Sequence, residues 1–228
     1  ETPEIYAALA ARLGIQWLRI ELEDLSFRYL HPVDYARLNE QVSAVGKDHD
    51  KLINEVVTRL RKMLLTRGFA VDVTGRRKNL YSIWRKMKRQ DCEFEQVQDF
   101  IAFRVLVENV SDCYAALGVV HSEWTPVPGR FKDYVALPKP NMYQSLHTTV
   151  MGPGSHRVEV QIRTHEMHRT AELGIAAHWQ YKSNTGGLDA RDAARFAWLR
   201  QLMEFQKDVA DPAEFYDSVR GDLFPEDV

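Results

Sequence analysis

The chain has 228 residues, 45% hydrophobic, 27% charged and 11% aromatic, enough apolar material for a packed core, which excludes a disordered polyelectrolyte. A formal net charge of −2 excludes indiscriminate binding of nucleic acid, so any anion site must be local. Its two cysteines, Cys92 and Cys113, exclude a disulfide framework or a four-cysteine zinc site and suit a reducing cytoplasm, and no apolar run approaches the roughly 20 residues that cross a bilayer.

Residues 3–67 read as helices. Ile5, Leu9 and Leu13 repeat at helical spacing and Gly14 supplies a stop; a second helix should end at His31-Pro32. Asp48 or Asp50 is expected to cap a long helix with Leu52, Ile53, Val56, Val57, Leu60, Met63 and Leu64 on one apolar face and Gly68 at its end. Residues 69–73 then read as a strand, 80–89 as a helix and 100–107 as a buried strand, and Ser111 is expected to cap a helix through Val120. After a Pro/Gly-rich loop over 125–141, residues 145–151 and 157–163 should form a hairpin about Gly152-Pro153-Gly154. Thr164 should cap a helix to about residue 181. The most linker-like stretch is 182–187, and two more helices are expected within 189–220. Strands and helices are mixed and a hairpin is present, which disfavours a purely parallel doubly wound sheet. The expected class is α+β, a small mixed sheet flanked by helices.

Seven basic residues and no acid occur between Arg76 and Arg89: Arg76, Arg77, Lys78, Arg85, Lys86, Lys88 and Arg89. At about 100° per residue, Leu80, Ile83, Trp84 and Met87 share one face, and Lys78, Ser82, Arg85, Lys86 and Arg89 the other. A solvated polar face is the plain alternative. Missing acids forgo the i,i+4 pairs that decorate such faces, and Gly75 permits a close approach just before the strip, so polyanion binding is favoured. A triphosphate and an RNA backbone both fit.

Asp99 precedes the apolar run at Phe100. Strand alternation puts Glu159, Gln161 and Arg163 on one face and Val158, Val160 and Ile162 on the other. If the two strands are neighbours, Asp99 and Glu159 can share Mg²⁺, which prefers hard oxygen ligands. Phosphoryl transfer needs such an arrangement, with basic groups on the phosphates and a carboxylate near the attacking hydroxyl. An ordinary solvent-facing Glu159 paired with Arg163 or a neighbour is the competing reading. In the loop Pro138-Lys139-Pro140-Asn141-Met142-Tyr143, an aromatic ring beside Asn and Lys can stack on a base, bond its edge and hold a phosphate; a Tyr and His packed under a proline loop is the alternative. Tyr143, Ser145, His147 and Thr149 share a face if the strand begins near Tyr143. His49-Asp50 lacks the partners of a metal hydrolase, His165 and His168 lack a third ligand, and His178 lies in an alanine-rich helix.

Five ordered blocks carry a resemblance: TGRRKNLYSIWRKMKR, DFIAFRVLVENVSDCYAALGVVHSEW, PGRFKDYVALPKPNMYQSLHTTVMGP, VEVQIRTHEMHRTAELGIAAHWQYK and DSVRGDLFPEDV. Together they resemble the synthetase domain of the long RelA/SpoT-homologue (p)ppGpp synthetases over nearly all of the chain. A first residue Glu1 and the abrupt end DLFPEDV fit a segment of a longer protein. The resemblance implies a nucleotidyltransferase-like fold divided into a helical linker region at 1–67 after a hydrolase domain, a synthetase core at 68–182, and C-terminal helices at 183–228 leading to a TGS/regulatory region.

The implied reaction, in the stringent response, moves the β,γ-pyrophosphate of ATP to the 3′-hydroxyl of GDP or GTP and releases AMP. Arg76 and Arg104 would sandwich adenine, and Lys78, Ser82 and Lys86 would hold the ATP phosphates. Asp99 would bind Mg²⁺ (or Mn²⁺), and Glu159 would act as general base and share the metal. Tyr143 would stack on guanine, with Lys132, Lys139, Asn141 and His147 around the acceptor. Lys132 lies in an RFKD motif that resembles the bifunctional synthetase–hydrolase branch. Further implied partners are (p)ppGpp as product and effector, and ribosome or tRNA through other domains. Two departures stand out. Arg77 replaces a frequent Pro, and Met142 replaces a frequent Gly, which implies that this loop position does not need a glycine-only backbone angle. Two competing functions are a non-catalytic RNA- or ribosome-binding regulatory module, and a nucleotidyltransferase that releases pyrophosphate.

Overall fold

The first helices end where the sequence breaks helical geometry. In the computed structural model, which describes residues 2–97 and 101–174, a π-helical turn (Thr2–Tyr6) leads into α1 (Ala7–Arg12), and Gly14 follows at φ +74°. That left-handed angle carries no Cβ penalty for glycine. Helix α2 (Gln16–Leu30) stops at His31, and α3 (Pro32–Ala44) begins on Pro32, where a missing N–H forfeits no hydrogen bond. Helix α4 (Gly46–Thr66) starts two residues before Asp48, so neither expected aspartate caps it. Both lie inside its first turns, where carboxylates favour the positive end of the helix, and they pair instead with cations: Asp48 with Lys51 and Asp50 with Arg77.

Five strands follow: β1 (Asp72–Arg77), β2 (Ile101–Val107), β3 (Lys132–Asp133), β4 (Leu146–Met151) and β5 (Arg157–Thr164). They form one sheet in the order β1-β2-β5-β4-β3. The β2–β5 pair is parallel and the other three are antiparallel, the mixed sheet expected from the sequence. The expected strand at 69–73 actually runs over 72–77. Position decides this: β1 is an edge, where charged side chains are tolerated, so Thr74-Gly75-Arg76-Arg77 pairs with β2.

Helix α5 (Leu80–Gln90) matches its expected span. Its first turn is held from outside: one Asp24 carboxylate oxygen accepts from the Tyr81 N–H and the Asn79 amide. Helix α6 (Val110–Glu123) is capped by Asn109, whose side chain accepts from the Asp112 N–H, and not by Ser111. Thr164 does cap the last described helix, residues 165–174, by accepting from the Met167 N–H. The continuation of this helix to 181, the stretch 182–187 and the helices expected within 189–220 lie outside the described residues.

Alternation on the sheet sorts the side chains. Val73, Phe103, Val105, Val150, Val160 and Ile162 face Val56, Leu60 and Leu64 of α4 and Ala116 and Val120 of α6 in one core. Residues 46–66 of the helical region at 1–67 are therefore packed into the core of the sheet. Gly75 lies under this helix. A Cβ there would come within 2.7 Å of Ile53 and 3.0 Å of Phe103, so the close approach it permits is that of core side chains and not of a ligand. A second cluster joins Phe27 of α2, Leu38 of α3 and Ile83 and Met87 of α5, which fixes α5 beside the start of the sheet.

Candidate active site

With one face of the sheet committed to the core, the register puts two polar rows on the other. Cross-strand partners point to the same side. One row runs Lys132, His147, Gln161, Arg104 and Thr74; the next runs Thr149, Glu159, Ala102 and Arg76. Arg76, Arg104, Lys132, His147 and Glu159, five expected site residues drawn from five strands, thus share one face. Asp99 lies outside the described residues; Ala102, three positions further along the chain, sits directly beside Glu159.

The basic stretch does not form a single helix face. Arg76 and Arg77 belong to β1, Lys78 and Asn79 link it to α5, and only Ser82, Arg85, Lys86, Lys88 and Arg89 are helical. Strand alternation turns Arg77 away from Arg76, and its guanidinium bonds the Gly46 carbonyl and Asp50, each at 2.6 Å. Lys88 points back toward Asp34 of α3. Lys78 reaches the polar face through Glu159. Ser82 and Lys86 stand one turn apart on α5, both half-buried.

Lys78 and Glu159 are 81 residues apart and form an ion pair, with Nζ 2.7 Å from Oε2. The Gln161 amide donates to the other oxygen of Glu159 at 2.9 Å. Burial pushes the Glu159 carboxyl up, but Lys78, the Gln161 hydrogen bond and His147 together hold it below its ordinary value. His147 Nδ1 lies 3.7 Å from Glu159, yet this is not an ion pair at neutral pH. Burial, with Lys139, Arg163 and Lys132 nearby, pushes the imidazole down to about 4 against the pull of Glu159. The Tyr143 hydroxyl, whose proton is held by burial, shares a hydrogen bond with His147 Nε2 at 2.7 Å.

Tyr143 belongs to an aromatic group rather than to a lone platform. Tyr134 meets both Tyr143 and His147 edge-on, and the Lys139 ammonium lies 4.7 Å from the Tyr134 ring and 5.2 Å from that of Tyr143. Met142 has φ +62°, which corrects the expectation for this position: the loop does need the left-handed angle, and Met142 adopts it. Asn141 departs from its expected place as well. Its amide donates to the Ala11 carbonyl of α1 and its oxygen accepts from the Tyr143 N–H, so it clips the loop to the first helix. Asp133 of the RFKD motif closes its own turn by accepting from the Val135 and Ala136 N–H groups. Ser145, expected on the face of Tyr143 and His147, is buried with its hydroxyl on the Ile162 carbonyl, because the regular strand begins only at Leu146.

Sequence reasoning assigned no role to Tyr134, Arg163, His168 or Glu172. Arg163 is 2% exposed, donates to His168 Nδ1 at 2.9 Å, and lies 5.8 Å from the Tyr143 ring. Burial lowers its guanidinium to about 10. The alternation that grouped Arg163 with Glu159 and Gln161 was the available signal. In sum, the face offers a carboxylate able to take a proton, cations for phosphates and an aromatic surface for a base.

Residues 75–186 match the family described as a region found in RelA / SpoT proteins. Over its whole length the chain is 53% identical to a GTP pyrophosphokinase of Myxococcus xanthus, of which it covers 30%. It is 47% identical to a probable guanosine-3′,5′-bis(diphosphate) 3′-pyrophosphohydrolase of Synechocystis sp., again with all of this chain and 30% of that protein covered. The chain thus spans about a third of the length of these curated relatives. Among solved structures it is similar to the small alarmone synthetase 1 from Bacillus subtilis bound to its product pppGpp, at 23% identity and a TM-score of 0.49, covering 75% of this chain and 100% of that one.

Proposed function

We propose that the chain, whose residues 75–186 match the region found in RelA / SpoT proteins, belongs to that family and is a (p)ppGpp synthetase domain with a nucleotidyltransferase-like fold, transferring the β,γ-pyrophosphate of ATP to the 3′-hydroxyl of GDP or GTP. The observation that carries this reading is the Glu159 carboxylate on the polar face of β5, with Lys78 at 2.7 Å and the Tyr143–His147 pair beside it. Base, phosphate cation and aromatic surface converge there from separate segments.

The division of labour is the one the resemblance implies. Lys78, Ser82 and Lys86 hold the ATP phosphates, Lys78 and Ser82 from the start of α5, where a helix N-terminus adds favourable partial charge. Arg76 and Arg104, neighbours on β1 and β2, hold the adenine. Tyr143 supports the guanine, with Lys132, Lys139 and His147 supplying donors around the acceptor nucleotide; Asn141 acts through the loop. Glu159 takes the proton of the 3′-hydroxyl as it attacks the β-phosphorus, and AMP leaves. Lys78 must exchange Glu159 for phosphate as ATP enters, which removes the largest influence holding that carboxyl down and makes it a better base.

Glu159 offers a hard oxygen for Mg²⁺ or Mn²⁺. Together with Asp99 it would hold the ion, with the rest of the shell from phosphates and water. Bound there, it would neutralise and orient the phosphates. A cytoplasmic setting, with ribosome or tRNA contacts through other regions of the longer relatives, belongs to the same reading; no described helix is long and apolar enough to cross a membrane.

The test is product identification. The chain, mixed with ATP, GDP or GTP and Mg²⁺, should release AMP and a guanine nucleotide carrying a new 3′-pyrophosphate. Release of pyrophosphate, or no consumption of ATP, would refute the assignment.

A further inference from the structure

We propose that Glu172 is a positioning residue that couples the two nucleotide sites, by holding Arg104 on the ATP side and Arg163 beneath the acceptor platform as one unit. This rests on the activity proposed above. Glu172 lies on the helix at 165–174, two turns beyond the cap residue Thr164. A single oxygen of its carboxylate meets Arg104 Nη2 at 2.9 Å and Arg163 Nη2 at 3.5 Å. The two guanidiniums repel each other and both are destabilised by burial, so a shared counter-charge is what keeps them side by side. His168 takes the remaining bond from Arg163 as a neutral acceptor.

Neither arginine is saturated. The buried Nε of Arg104 and that of Arg163 each have no hydrogen-bond partner among the described residues. Both donors are closed off from solvent, so neither guanidinium is held by a full set of bonds, and the Glu172 carboxylate is the counter-charge they share. The chain of contact is continuous: Arg104 to Glu172, Glu172 to Arg163, Arg163 to the Tyr143 ring, Tyr143 to His147. When adenine fixes Arg104, Glu172 is fixed with it, and the surface under Tyr143 is set before the acceptor arrives. Linkage makes the effect reciprocal.

The experiment is titration calorimetry on the 228-residue chain, with a non-hydrolysable ATP analogue and GDP, each alone and in the presence of the other. Saturating analogue should tighten GDP roughly 5- to 20-fold. In Glu172→Gln, which keeps the shape and removes the charge, that factor should fall to within about twofold of unity. In Arg163→Gln, GDP binding should weaken about 5- to 10-fold and lose its response to the analogue, with analogue affinity unchanged because Arg104 keeps Glu172. Independent binding in the wild type, undiminished coupling in Glu172→Gln, or equal weakening of both nucleotides in Arg163→Gln would overturn the proposal. Should Glu172→Gln fail to fold by circular dichroism, Arg163→Gln decides alone by the same criterion. These titrations need no turnover, so a wild type that binds cooperatively without releasing AMP refutes the activity and leaves the coupling standing.

Discussion

Replacing Glu159 by Gln separates the roles assigned to the Lys78–Glu159 pair. The two side chains are 25% and 16% exposed and their charged atoms 2.7 Å apart. At an effective dielectric of about 20, the gross attraction is about 6 kcal/mol, most of it offset by desolvation, so loss of the charge should cost about 1–3 kcal/mol in stability. For a protein of this size that lowers the melting temperature by a few degrees, at about 2–4 °C per kcal/mol, and leaves the fold intact. Turnover, followed by chromatography of labelled ATP, should fall about 10²- to 10⁴-fold, the range for a lost general base. Without divalent cation, binding of a non-hydrolysable ATP analogue should be no weaker than in the wild type, since Lys78 no longer has to leave a carboxylate. A variant that turns over within tenfold of the wild type, or that binds the analogue tenfold more weakly, would refute the reasoning.

Stability should depend on pH through two imidazoles, His147 and His168, each pushed to about 4 by burial and neighbouring cations. The unfolded chain binds protons that the folded chain excludes, so stability present above about pH 6.5 is lost as pH falls toward 4. For His147, 20% exposed, this is worth up to about 2 kcal/mol by pH 5. Urea titrations at pH 7.5 and 5.0 measure it, and His147→Asn should flatten the difference. Gly75→Ala forces a methyl to 2.7 Å from Ile53 and should destabilise by about 1–3 kcal/mol; an unchanged melting temperature would show that Ile53 yields without penalty. Met142→Gly relieves a left-handed angle and should stabilise by about 0.5–1 kcal/mol, read as a higher urea midpoint.

Helix α5 and the β4–β5 hairpin were legible because their signals are local. Period-3.6 apolar spacing and a Gly-Pro-Gly turn between alternating strands fix an element without reference to distant residues. The caps failed where two candidates stood within a few residues: Asn109 outcompeted Ser111, and α4 began before either aspartate, because its end is set by packing on the sheet. The basic stretch was read correctly as lacking local acids, but the acids come from afar. Asp50 reaches Arg77, Asp34 approaches Lys88 and Glu159 takes Lys78. Arg77 and Lys88 are therefore drawn into tertiary tethers, while Lys78 meets its acid inside the proposed site.

The sequence by itself determined helix α5, the β4–β5 hairpin and the helical character of the first third, that the sheet is mixed, and which residue types could serve a phosphate, a base and a proton; it misplaced β1 and took β3 for loop. Those are properties of periodicity and of side-chain chemistry. Tertiary structure alone decided that β2 and β5 are parallel neighbours with Ala102 beside Glu159, that Asn141 fastens a loop to α1, and that Glu172 bridges Arg104 and Arg163. Register and ion pairing across tens of residues depend on where separate elements meet in space, and chain order does not encode that locally.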